Sequence, residues 1–83
     1  MNAVQELVEV VGKDDTQFMM GVHYNSLYKW LEPENEENRR EPTAAARNFA
    51  RLLTYLLVTC GWTIEEVKGA IMDINESNDP DVN

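Results

Sequence analysis

The stretch Gly21-Val22-His23-Tyr24-Asn25-Ser26-Leu27-Tyr28-Lys29-Trp30 decides how this chain is read. A glycine leads through a short polar segment into a helix in which Leu27 and Trp30 stand three residues apart. Residues at that spacing are helix neighbours, so both can be seated in one core. Tyr24, Asn25, Tyr28 and Lys29 are left on the opposite side, a row of hydrogen-bonding and aromatic groups ending in a cation. The helix is expected to start near Asn25 or Ser26 and to stop near Glu32, because proline disfavours a helical residue before it and Pro33 follows.

Working outward, Ala3 to Val11 carries Val4, Leu7, Val8 and Val11, the stripe of an amphipathic helix. Asn2 is its candidate N-cap and Gly12 its candidate left-handed terminator. Asp14 or Asp15 can cap a second helix ending at Gly21, with Phe18, Met19 and Val22 on its core side. Glu34 to Glu41 holds no apolar residue and reads as a surface loop. Thr43 then caps the strongest helix, in which Ala44, Ala45 and Ala46 have high intrinsic propensity. Its apolar face is expected to be Phe49, Leu52, Leu53, Leu56, Leu57 and Cys60, opposite Arg47, Arg51 and Thr54, with Gly61 as the stop. Thr63-Ile64-Glu65-Glu66 is a capping box opening a last helix with Ile64, Val67, Ile71 and Ile74 on one side.

No segment alternates as a strand does. The expected fold class is therefore all-α: a compact bundle of about five helices, one domain over residues 1–76, and a disordered acidic tail over 77–83. The apolar breadth of the last two helices suggests a homodimer contact somewhere in residues 49–74.

Composition narrows the function. No apolar run is long enough to cross a bilayer, and Met1 to Val11 lacks the basic start of a signal peptide. The lone Cys60, between leucines and Trp62, reads as a buried small hydrophobe in a reducing, cytoplasmic setting. His23 is the single histidine and has no partner at metal-ligand spacing, and there is no phosphate loop or nucleophile motif. Neither an enzyme, a metal nor a cofactor is expected. The net charge of −8 is unevenly spread: residues 1–19 sum to −3 and 52–83 to −5, while 20–51 balance Lys29, Arg39, Arg40, Arg47 and Arg51 against five glutamates. The basic residues thus gather around the opening stretch. Arg39 and Arg40 are either phosphate contacts or partners of the neighbouring glutamates.

The order Gly21, Leu27, Trp30, Pro42, with Arg40 before the proline and an alanine-rich helix after it, resembles the lambda-repressor-like (Xre/Cro-type) helix-turn-helix regulators over roughly residues 13–58. The resemblance implies a transcriptional regulator in which residues 14–20 cross the DNA backbone and the helix around residues 24–32 enters the major groove. It makes His23, Tyr24, Asn25, Ser26, Tyr28 and Lys29 the candidate DNA contacts, with Arg39 and Arg40 beside them. Asn25 would pair with an adenine edge, Ser26 or Tyr24 would hold a phosphate, and Lys29 would reach a phosphate or a guanine. Gln17 stands where the family usually has alanine, and Asp14 and Asp15 place negative charge where the first helix would approach phosphates. Those departures and the −8 charge define the alternative: an acidic protein-interaction module on the same fold, whether antitoxin-like, a phage-encoded partner or a DNA mimic.

Overall fold

Gly12 separates the first two helices, and it does so alone. In the computed structural model, which describes residues 1–33, 36, 37 and 39–77, α1 (Ala3–Val11) ends at Gly12 and α2 (Lys13–Met20) begins at the next residue. Gly12 sits at φ 90°, ψ 167°, a region essentially confined to glycine, and not in the left-handed helical conformation expected of a terminator. Its N–H still closes α1 on the Val8 carbonyl at 2.7 Å, and its own carbonyl accepts both the N–H (3.0 Å) and the hydroxyl (2.7 Å) of Thr16. Asp14 and Asp15 therefore do not cap α2. They lie in its first turn, where carboxylates favour the helix dipole.

The remaining elements are α3 (Tyr24–Leu31), α4 (Ala44–Thr54), a π-helical continuation over Tyr55–Thr59, and α5 (Ile64–Ser77). The described residues contain no strand, and the chain is all-α. Ser77 belongs to α5, so the start of the expected tail is helical; 78–83 lie outside the described residues, as do 34, 35 and 38 of the expected loop. No helix among the described residues is long and apolar enough to cross a membrane.

α1 is the hub. It packs chiefly along α4 and also touches α2 and α3, while α2 reaches on to α4 and α5. The buried core runs through Ala3, Val4 and Leu7 of α1, Thr16 and Met19 of α2, Leu27 of α3, Pro42, Ala50 and Leu53 around α4, and Val67 of α5. Val11, Met20, Val22, Trp30, Leu31, Phe49, Leu56, Leu57, Ile64 and Ile71 pack around it. Valine-rich α1 has weak intrinsic helicity, so this central packing is what holds it helical.

The local signals hold at the starts of α1, α4 and α5. Asn2 Oδ1 accepts the Gln5 N–H at 2.9 Å while the Asn2 N–H donates to Gln5 Oε1 at 2.7 Å, a reciprocal cap. Thr43 caps α4 through the Ala46 N–H at 3.1 Å, and Thr63 and Glu66 exchange the expected pair of bonds at 3.0 and 3.1 Å.

Four side-chain expectations fail. Phe18 is 45% exposed: Thr16 and Met19 are the buried residues of α2, and the Phe18 ring lies under the Lys68 ammonium. Leu52 is exposed because α4 turns small Ala50 towards the core, and a small residue lets two helices approach closely. Cys60 is exposed as well. The helix widens before it: the Cys60 N–H bonds the Tyr55 carbonyl five residues back at 3.0 Å, so the α-helical stripe loses register over residues 55–59. Ile74 is also exposed, leaving Ile64, Val67 and Ile71 to seat α5.

Two glycine substitutions test this account in opposite directions. A Cβ at Gly12 or Gly69 would meet no atom within 4 Å, so only backbone conformation distinguishes them. Gly12→Ala is expected to lower unfolding stability by about 1–3 kcal/mol, since alanine is strained at that φ. Gly69→Ala, inside α5, is expected to raise it by about 0.5–1 kcal/mol. Urea denaturation followed by helical circular dichroism measures both.

Candidate nucleic-acid interface

The site is built on α3 and on the way α3 is held. Gly21 ends α2 in the left-handed conformation (φ 65°, ψ 34°), its N–H shared between the Gln17 carbonyl at 3.0 Å and the Phe18 carbonyl at 3.3 Å. His23 is extended and caps α3, its Nδ1 accepting the Asn25 N–H at 3.1 Å. The helix thus starts at Tyr24, one residue earlier than expected, and His23 has a structural task in addition to its exposed position.

The far end of α3 is tied down twice. Asn2 Nδ2 donates to the Trp30 carbonyl at 3.0 Å, and the Arg40 N–H donates to the Lys29 carbonyl at 3.1 Å. These are C-terminal helix carbonyls with no acceptor role left inside the helix. Glu32 is extended (φ −63°, ψ 150°), as the residue before Pro33 must be. Leu27 is buried and Trp30 and Leu31 pack on the core, so one side of α3 is anchored as expected.

The outward side carries the residues singled out in the sequence. Tyr24, Asn25, Tyr28 and Lys29 are exposed and Ser26 is half-buried. Tyr24 and Tyr28, four residues apart, bring their ring centroids to 4.5 Å at a 60° tilt. Lys13, from the first turn of α2, sets its ammonium 5.3 Å from the centre of the Tyr28 ring. Hydrogen bonding with Tyr28 raises the Tyr24 phenol above its usual range; partial desolvation and the charges of Tyr28 and Asp14 act in the same direction. The Lys29 side chain has no ion partner among the described residues.

The two loop arginines part company. Arg39 is mostly buried, with its guanidinium paired to the Glu41 carboxylate, which is the glutamate-balancing role. Arg40 is exposed, with one Nη on the Arg39 carbonyl at 3.1 Å, and its backbone bond to Lys29 places it at the end of α3. So α3 groups Tyr24, Asn25, Tyr28 and Lys29 in one row with Arg40 at its end, and Arg39 is occupied elsewhere.

Lys13 is the site residue that sequence reasoning missed. It is fifteen positions from Tyr28, and no local spacing brings the two together; only the one-residue connection at Gly12 does. Lys68 is a second such case: it reaches from α5 to the Asp15 carboxylate at 3.1 Å and over the Phe18 ring at 5.1 Å. It covers the outer face of α2 and neutralises one of the two acids that the sequence places there.

His23 and Cys60 are both exposed, and no group of three metal-ligating side chains occurs among the described residues. Comparisons with protein-family models, with curated proteins and with solved structures returned no match.

The tyrosine pair gives a direct test of this geometry. In a titration followed by phenolate absorbance, Tyr24 is expected to ionise above the usual tyrosine range, and Tyr28→Phe to bring it back towards that range. The sign follows from the neutral phenol being favoured in the folded chain: that contribution is complete below the unfolded pKa and is lost as pH rises through the folded one.

Proposed function

We propose that the chain is a small duplex-DNA-binding regulator that places α3 in the major groove. The observation that carries the reading is the composition of the α3 face: exposed Tyr24, Asn25, Tyr28 and Lys29, flanked by the Lys13 ammonium on one side and Arg40 on the other. α3 itself contains no acid. On a chain of net charge −8, that face offers phosphates three cations, with Asp14, whose charge reaches Tyr24, as an acid at its edge. Asn25 has the two-pronged amide that matches an adenine edge, and Lys29, Arg40 and Lys13 would meet phosphates or guanine. His23 would approach DNA only with its ring held by the cap to Asn25, and Ser26 contributes at most its rim position on α3. In this reading Arg39 shapes the loop and makes no phosphate contact.

A second reading rests on a different observation. Glu65, Glu66, Asp73 and Glu76 are all exposed on α5, and none of them has an ion partner among the described residues. That surface suits a basic protein partner and is the basis for an acidic interaction module.

Selection from a randomised duplex library at low salt distinguishes the two. The DNA reading expects an enriched motif, bound with an affinity that falls as salt rises. Asn25→Ala should relax the preference at one base position by about 1–3 kcal/mol. Lys29→Ala should weaken all sequences alike and lower the salt slope by about one. No enrichment at any salt concentration would refute the DNA reading.

A further inference from the structure

We propose that the outward face of α4 and its π-helical continuation is the contact between two copies of this chain, packed antiparallel. The face is formed by Ala44, Ala45, Asn48, Arg51, Leu52, Tyr55 and Val58, all exposed. Leu52, Tyr55 and Val58 are 51%, 55% and 63% exposed, although α4 is the strongest helix of the fold and its other side is fully used. Together they leave on the order of 300 Å² of side chain in water, within the range of the largest apolar patch on a typical small protein, which is often functional.

Two features select a second copy as the occupant. The first is charge. Between Pro42 and Ile64 the chain carries Arg47 and Arg51 and no acid, although it has 15 acids in all and a net charge of −8. The exposed faces of α1, α2 and α5 bear Glu6, Glu9, Asp14, Glu65, Glu66, Asp73 and Glu76, so two copies meeting there would set acid against acid. α3 is the only other helix free of acids among those described. An acidic chain can therefore approach itself along α4 without setting acid against acid, the one like-charge pair being exposed Arg51 with its own copy.

The second feature is shape. The first half of the face is small (Ala44, Ala45, Asn48) and the second half is large (Tyr55, Val58). In an antiparallel pair related by a two-fold axis near Arg51 and Leu52, Val58 of each copy lies over Ala45 of the other and Tyr55 over Asn48. Small meets large at both ends, as an isologous contact requires. The antiparallel arrangement also sets each helix N-terminus beside the C-terminus of the other, which aligns their dipoles favourably. The area is modest, so the association is reversible and concentration-dependent. It requires nothing of the DNA reading, and DNA binding by a single copy would leave it intact.

Analytical ultracentrifugation over a concentration series tests the contact. The native chain should move from its 9.5 kDa mass towards twice that value as concentration rises. Val58→Glu and Ala45→Glu should each weaken association by about tenfold or more. Val58→Glu combined with Ala45→Lys should regain much of it, because the antiparallel pairing sets the new charges opposite each other. Met72→Glu, an exposed apolar position on α5, should leave association unchanged. Circular dichroism confirms that each variant is folded, and Val58→Ser replaces Val58→Glu if the latter is not. A native chain that stays at 9.5 kDa throughout, or a dimer indifferent to Val58→Glu, overturns the proposal. So does a dimer abolished by Met72→Glu, and failure of the double variant to recover overturns the antiparallel register.

Discussion

A single residue between two helices is the constraint on which this structure depends. With only Gly12 to turn the chain, α2 cannot move independently of α1, and its direction is fixed by one pair of backbone angles. The Gly12 carbonyl takes both the Thr16 N–H and the Thr16 hydroxyl, so the buried threonine has its polar atom satisfied within the junction itself. Met19, one turn on, then falls into the core beside Leu7 and Val4. The position of Lys13 over Tyr28 follows from the same junction, so the cation nearest the tyrosine pair is brought there by the one-residue connection at Gly12.

α3 depends on the hub in a different way. It is short, and eight residues are too few to be stable alone in water. Leu27 and Trp30 hold it by burial, but its ends are held by polar bonds: His23 at the start, Asn2 and Arg40 at the finish. Asn2 serves two helices at once, capping α1 through its side-chain oxygen and closing α3 through its side-chain nitrogen. The exposed row of α3 is thus displayed from a helix fixed at both termini, which suits a surface that must present side chains in one orientation.

Much of this was legible in the residues. Capping residues act within three or four positions, so Asn2, Thr43 and the Thr63–Glu66 box could be read directly, as could the glycine stops at Gly21 and Gly61. The inward placement of Leu27 and Trp30 followed from spacing alone. What could not be read depends on how helices cross. Ala50 outranks Leu52 at the core because the approach of α1 sets the buried line, and hydrophobicity by itself points to the leucine. Phe18 looked like core and instead lies beneath Lys68, a residue fifty positions away in the chain. Within the candidate site the row on α3 was legible, but the separation of Arg39 from Arg40 was not. Adjacent in sequence, one turns in to Glu41 and the other stays out, and only the loop geometry decides between them.

The wide turn at Tyr55–Thr59 has a consequence for how the chain tolerates change in length. A π turn takes one more residue than the α-helical turn it replaces, so it behaves as a single-residue insertion absorbed inside a helix. It uncouples two phases: the seating of Ala50 and Leu53 before it, and the departure of the chain at Gly61 towards α5 after it. Removing one residue there would restore an unbroken α-helix and rotate everything beyond it by about 100° about the helix axis. The link from Gly61 to Thr63 would then have to absorb that rotation for Val67 to keep its place in the core. The register of the last helix is therefore set by chain length between Thr54 and Gly61 as much as by its own isoleucines.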